Sequence, residues 1–228
     1  MVRSRVPETD QGIQGELAVE MYDQMQRRLR DRGWIETQDL IKRGITHGLA
    51  LEIGPGPGYL GLEWLKSTQG TALKGLDISE DMIALARRNA EAYGLSGRVD
   101  YVCSSAATLP FADESFDAVF SASSLHEWSE PEETLREAWR VLKPSGWLLV
   151  LDFRRDMFPV LKWLLWLVAS PKEVRPGLLT SLRAAYTPEE VAALIREVEL
   201  SSCEVEGSPA GLTVVGRKRT SAEGTVAP

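Results

Sequence analysis

The 228-residue chain is poor in residues that staple, span or neutralise phosphate. It has two cysteines, Cys103 and Cys203, a hundred positions apart and in no metal-ligand spacing. That excludes a disulfide-held scaffold and a cysteine-based zinc module. Both thiols sit in apolar stretches and are expected to be buried and free, which fits a cytoplasmic home. An excess of positive charge is also missing. Lys plus Arg is 26 and Asp plus Glu is 33, a net charge of −7, so a nucleic-acid backbone is not an expected partner. No apolar run is long enough for a membrane span. The nearest, Phe158 to Ala169, is twelve residues and contains Lys162. Residues 1–12 carry no apolar stretch of the kind a secretory signal needs. Internal repeats are absent.

What is present is the composition of one globular core, with 43% hydrophobic and 26% charged residues. Short apolar runs alternate with helical patterns. Strands are expected at Leu49–Ile53, Leu73–Asp77, Val99–Ser104, Phe116–Ser121 and Trp147–Phe153. Between them, Ser79 caps a helix whose first turn holds Glu80 and Asp81, and Gly94 stops it. Pro131 suits the first position of another helix, which ends before Lys143-Pro144-Ser145-Gly146. Thr187-Pro188-Glu189-Glu190 reads as a capping box. Such alternation predicts βαβ units and a parallel sheet with helices on both faces. Two final strands, Ser202–Glu206 and Leu212–Arg217, are separated by a loop short enough to make them antiparallel neighbours. The domain is expected over 13–217. Residues 1–12 and 218–228 are expected to be disordered.

An insert at about 154–186 interrupts the pattern. Its apolar half, 157–169, is hydrophobic nearly all round. It must be buried or face a partner, an apolar ligand or a membrane surface.

The chemistry-bearing signal is Leu51-Glu52-Ile53-Gly54-Pro55-Gly56-Pro57-Gly58-Tyr59. An apolar strand runs into three alternating glycines and then a helical pattern. Glycine allows a sharp turn and lets a ligand approach bare backbone. In open α/β sheets that turn is where nucleotides bind. Asp77 closes the next strand nineteen residues after Gly58, placed to accept hydrogen bonds from both hydroxyls of a ribose. Two cofactor classes fit these facts. A nicotinamide dinucleotide needs G-x-G-x-x-G from the turn glycine; counted from Gly54, the third glycine falls on Tyr59. Counted from Gly56, the spacing is met by Gly58 and Gly61, but that is beyond the strand end. Glu52 asks for a cationic partner, which the ammonium of S-adenosylmethionine supplies.

Glu52-Ile53-Gly54-Pro55-Gly56-Pro57-Gly58 resembles motif I of the class I S-adenosylmethionine-dependent methyltransferases. Ala106-Ala107-Thr108-Leu109-Pro110-Phe111 with Ser115-Phe116-Asp117 is similar to that family's stretch entering strand four. Arg140-Val141-Leu142-Lys143-Pro144-Ser145-Gly146 is similar to its segment before strand five. The resemblance runs from about Gly15 to Arg217. It is nearest the branch of ubiquinone and menaquinone C-methyltransferases and other small-molecule methyltransferases.

This resemblance implies a Rossmann-like α/β fold with a seven-stranded, mostly parallel sheet and an antiparallel last strand. It implies methyl transfer to a small molecule, with S-adenosylmethionine as cofactor and no metal. Glu52 would anchor the methionine ammonium. Gly54, Gly56 and Gly58 would line the cofactor, and Asp77 would hold the ribose diol. Ile78 and Met82 would lie against the adenine. Ser105 and Ala106 would border its edge; the family usually carries Asp where Ser105 stands. Tyr22 resembles the N-terminal tyrosine that closes over the cofactor. Ser121, at the end of strand four, would border the cofactor. The loop after it carries His126, the candidate general base or acceptor-orienting group. His47, before the first strand, lies at the opposite end of the sheet. The insert would form a lid, with Trp163, Trp166, Phe158, Leu161, Leu164 and Leu165 walling an apolar acceptor site. The alternatives are a non-catalytic binding or interaction protein on the same fold and an NAD(P)-dependent oxidoreductase.

Overall fold

A computed structural model describes residues 4–8 and 12–219. Two helices lead into the sheet, α1 (Glu16–Asp31) and α2 (Thr37–Lys42). Then β1 (Gly48–Ile53), α3 (Tyr59–Ser67), β2 (Thr71–Asp77), α4 (Glu80–Ala92), β3 (Val99–Cys103) and β4 (Phe116–Ala122) follow. The second half holds α5 (Pro131–Val141), β5 (Leu142–Phe153), α6 (Pro159–Val168), α7 (Arg175–Ala184), α8 (Pro188–Glu197), β6 (Cys203–Gly207) and β7 (Gly211–Arg217). The spatial order is β3-β2-β1-β4-β5-β7-β6. The strands from β3 to β5 pair in parallel, and β7 runs antiparallel to both β5 and β6. This is the expected architecture.

Strand alternation explains the two cores. Leu51, Ile53, Val119, Leu148 and Val150 face α5 and α8 in one apolar cluster. Their neighbours Ala50, Ala118, Phe120 and Leu149 face α2 and α3 in another, with Trp64 and Leu65. The caps fall where the sequence puts them. Ser79 Oγ accepts from the Met82 N–H at 3.2 Å, and Gly94 takes the left-handed φ of 68° after α4. Thr187 and Glu190 make the reciprocal bonds of a capping box.

Four expectations change. β5 starts at Leu142, not Trp147: Leu142 pairs with Phe116, and Lys143–Gly146 is taken up as an irregularity before Trp147 meets Ala118. Cys103 is exposed and Cys203 half-buried, because they lie on β3 and β6, the two edge strands. Within the expected disordered start, residues 4–8 are held against α7 and the loop after β4. Val6 N–H donates to Arg183 O, the Arg5 guanidinium donates to Ala184 O and His126 O, and it stacks on Tyr186. At the other end, Lys218 donates to Trp139 O and Leu142 O. Residues 1–3, 9–11 and 220–228 lie outside the described residues.

The insert folds as α6 and α7. No residue of α6 is buried, and Phe158, Val160, Trp163 and Leu164 are exposed. No helix among the described residues is long and apolar enough to cross a membrane.

Candidate active site

Strand order reverses between β2 and β4 on either side of β1, which opens a crevice at the carboxyl ends of the strands. The Gly54–Gly58 turn forms its floor. Gly54, Gly56 and Gly58 all have positive φ, at 68°, 51° and 84°. Gly54 is also a close approach. A Cβ there would lie 2.7 Å from the Ser124 Cβ, so the loop after β4 packs against bare backbone.

One cleft is lined by Gly54, Gly56, Asp77, Ile78, Met82, Ser105, Ala106 and Tyr22. These are eight of the expected cofactor residues, and the fold brings them together from four separate segments. Asp77 accepts the Gly56 N–H at 3.1 Å and the Ser79 N–H at 3.0 Å, which fixes its carboxylate across the turn. Burial raises its pKa, and those backbone donors work against the rise. Residues 12 and 13 cover the cleft, with Ile13 O accepting from Ser79 Oγ at 2.6 Å.

Three expected residues stand elsewhere. Gly58 turns away from the cleft: a Cβ there would lie 2.5 Å from the Tyr101 hydroxyl, and the residue serves as the left-handed cap of α3. Ser121 is buried and lines neither cavity. Its Oγ lies 2.5 Å from Ser124 Oγ, which accepts from Trp128 Nε1 at 3.1 Å. Glu52 lies behind the glycine turn and lines a second cavity. It points to the α3 face, and α3 comes close because position 61 is glycine, where a side chain would collide with Glu52 and Leu73. Glu52 is 2% exposed, and its Oε2 has no hydrogen-bond partner among the described residues. Burial, with a smaller contribution from Asp77 and opposed by the Gly61 N–H, pushes its pKa up to about 8. A buried carboxyl with an orphaned oxygen awaits a cationic donor.

The second cavity has a volume of about 870 Å³. Met21, Met25 and Leu29 from α1 and Trp34 from the loop after it, with Phe153 and Leu165, give it an apolar wall. It shares Gly54, Tyr22, Ser123 and Glu127 with the first cleft, so the two are continuous. Of the six apolar residues expected to wall the acceptor site from the insert, Leu165 does so. Trp163 is 57% exposed, and Trp166 lies under the Arg175 guanidinium, 4.3 Å from its ring centroid. A ten-residue helix presents one narrow stripe inward, and here that stripe carries Leu165 and Val168.

His126 sits where the cavities meet. It is 2% exposed, and its Nδ1 lies 2.9 Å from both carboxylate oxygens of Asp152, which also accepts the His126 N–H at 2.7 Å. Its Nε2 is 3.8 Å from Glu127 and 3.9 Å from Glu8. Burial works to lower the His126 pKa, but Asp152, then Glu127 and Glu8, outweigh it and lift it to about 9. Burial lifts Glu127 to about 7, opposed by His126 and reinforced by Glu8. Asp152 and Glu8 were missed in the sequence. Asp152 carries the same signal as Asp77, an acid near the end of a parallel strand. Glu8 carried none, since only the fold brings it to residue 126.

The chain is similar to known methyltransferases. Residues 51–150 match the family described as Methyltransferase domain (Methyltransf_11). The ubiquinone/menaquinone biosynthesis C-methyltransferase of Paracoccus denitrificans is 31% identical over 159 residues, which cover 64% of this chain and 64% of that protein. The protein of the same name from an Enterobacter species is 29% identical over 190 residues, 78% of this chain and 74% of its own length. Against the Paracoccus relative, the chain spans less than two thirds of the relative's length. The crystal structure of a SAM-dependent methyltransferase from Aquifex aeolicus superposes with a TM-score of 0.62 at 22% identity, covering 80% of this chain and 89% of that one. At that identity the likeness is one of fold.

Proposed function

We propose that the chain, whose residues 51–150 match a methyltransferase domain and which resembles the ubiquinone/menaquinone C-methyltransferases, is a class I S-adenosylmethionine-dependent methyltransferase that methylates a small molecule with a large apolar or aromatic part. The observation that carries this reading is the continuity of two cavities. A narrow cleft lined by the glycine turn, Asp77 and Glu127 adjoins an apolar space of about 870 Å³. A ligand pocket of that size takes a drug-sized molecule.

The residues fit the cofactor. The partnerless Glu52 Oε2 suits an ammonium, directly or through water. Gly56 leaves room that a side chain would fill, with only Tyr22 among the described residues within 4 Å of where its Cβ would lie, its chain neighbours aside. Asp77 keeps lone pairs for a diol beyond its two backbone bonds, and Ile78 and Met82 offer an apolar wall. When bound, S-adenosylmethionine supplies a methyl group already made electrophilic by its sulfonium. What the chain adds is position and dryness. Tyr22 and residues 12–13 cover the cleft, and the apolar wall excludes water from its mouth. His126, its ring fixed by Asp152, orients the polar end of the acceptor at the junction.

The relatives are named for C-methylation in quinone biosynthesis, and an acceptor of apolar, aromatic type agrees with this cavity. S-adenosylhomocysteine at 100 times its Kd should stabilise the protein by about 2.7 kcal/mol, read as a rise in Tm. With it bound, apolar aromatic hydroxy compounds should bind in isothermal titration and small polar ones should not. Tight binding of small polar acceptors alone would overturn the substrate class. No thermal shift at millimolar ligand would overturn the cofactor reading.

A further inference from the structure

The wall of the acceptor cavity holds three ligand-type side chains that neither the glycine turn nor the apolar surface requires. Glu8, His126 and Glu127 each offer one ligating atom, and these atoms all lie within 4.8 Å of one another. We propose that this cluster binds a single divalent cation, Zn²⁺ or Mn²⁺, at the junction of the two cavities. The sequence suggested no metal, because Glu8 is more than a hundred positions from its partners.

Three features carry the proposal. The first is the tautomer. The carboxylate of Asp152 takes two contacts from His126 Nδ1 at 2.9 Å. A carboxylate only accepts, so Nδ1 carries a proton and Nε2 is the ring atom left to meet an ion, which displaces any proton held there. Metal-bound histidines are oriented by a carboxylate in this way. The second is spacing. The Nε2 nitrogen stands 3.8 Å from Glu127 Oε1 and 3.9 Å from Glu8 Oε2, too far for hydrogen bonds. An ion about 2.1 Å from each ligand in a tetrahedron sets them about 3.4 Å apart. The ligand atoms lie up to 4.8 Å apart, so side-chain movements of about 1 Å close the site. The third is accessibility on one side. His126 is buried, but all three residues line the 870 Å³ cavity. Three protein ligands leave a coordination position facing that space, as catalytic rather than structural sites do.

One imidazole with two carboxylates is a mixed nitrogen and oxygen set, which suits Zn²⁺ or Mn²⁺ better than a thiolate-seeking ion. The ion would occupy the Nε2 that otherwise faces the acceptor, so the acceptor's polar atom would meet the ion. Binding of the ion does not depend on the methyl-transfer reading.

The test uses the untagged full chain, stripped with a chelator and titrated calorimetrically with ZnCl₂ and separately with MnCl₂. We expect one equivalent of at least one ion, and at least a tenfold loss of affinity in Glu8→Gln and in Glu127→Gln. Asp152→Asn, which loosens the ring and also weakens the acceptor of the His126 and Phe153 N–H groups, should weaken binding by about 10–100-fold. Far-UV circular dichroism identifies any variant that fails to fold, and Glu8→Gln, on a peripheral segment, remains informative if the others do not fold. Absence of stoichiometric binding by the wild type overturns the site, as does equal binding by the Glu8→Gln/Glu127→Gln double variant. S-adenosylhomocysteine binding is measured on the same stripped wild-type sample. Cofactor binding without metal binding defeats the metal site alone; metal binding without cofactor binding defeats the methyltransferase reading alone.

Discussion

The two halves of the crevice are built in opposite ways. The cofactor side draws on short consecutive segments, residues 54–56, 77–82 and 104–107, each fixed to the end of a neighbouring parallel strand. Its acids are Asp77, at the end of β2, and Glu127, which it shares with the acceptor side. The acceptor side draws on residues 6–8, α1, the loop after β4, α6 and α7, which meet only because the chain folds back on itself. A site of the first kind tolerates little change at its few fixed positions. A site of the second kind is carried by many side chains, each replaceable, and can vary its ligand while the scaffold stays constant.

That contrast breaks most sharply at Asp77. Its carboxylate already holds the Gly56 and Ser79 N–H groups, so Asp77→Ala loses the diol contacts and leaves two backbone donors without an acceptor. Hydrogen bonds to a charged group contribute about 1.5–3 kcal/mol each, so S-adenosylhomocysteine affinity should fall by about 100-fold or more in isothermal titration. Asp77→Asn keeps the shape and should lie between. Unchanged affinity in both would mean that the cleft is not the cofactor site. No single apolar substitution in the second cavity should reach that effect.

The same contrast explains which residues are legible in the sequence. Glu52, the glycine turn and Asp77 can be read there because a βαβ unit ties position in the chain to position in space. A strand end, a turn and the next strand end have fixed offsets. Ser79, Gly94 and Thr187 are legible for the same local reason. Gly58 shows the limit: its spacing marks it as a cofactor glycine, but its neighbour is Tyr101, two strands away. Asp152 and Glu8 required the tertiary fold. The helix at 157–169 misled because composition says that a face must be covered without saying by what.

Glu52 offers a more moderate effect, with a sign that can be worked out. Its folded pKa is raised to about 8, above an unfolded value of about 4.3. The folded empty protein therefore keeps a proton that the unfolded chain has lost. Its stability from this group is full below about pH 4.3 and declines as pH rises to 8. Pairing with an ammonium needs the carboxylate, so binding releases that proton. S-adenosylhomocysteine affinity should rise by up to tenfold per pH unit toward pH 8 and then level off. In Glu52→Gln that component of the slope should vanish, and affinity should be low throughout. Titrations in buffers of different ionisation enthalpy should detect proton release by the wild type only. Equal release by both would move the titrating group elsewhere in the cleft.

The smallest effect is expected on α6. Trp64, on the α3 side of the sheet, is fully buried, and its Nε1 donates to Ile45 O at 2.7 Å. Trp163 is 57% exposed, and no residue of its helix is buried. The same residue type therefore has opposite stakes. Truncating a core tryptophan costs about 3–5 kcal/mol, whereas Trp163→Ser should change stability by less than about 1 kcal/mol. Denaturant midpoints at several protein concentrations test this. A concentration-independent midpoint within the error of wild type is the expected result. A fall of several kcal/mol, or a wild-type midpoint that rises with concentration while that of Trp163→Ser does not, would mean that α6 is covered in solution by a second copy. The acceptor cavity would then have a further wall that one chain alone does not supply.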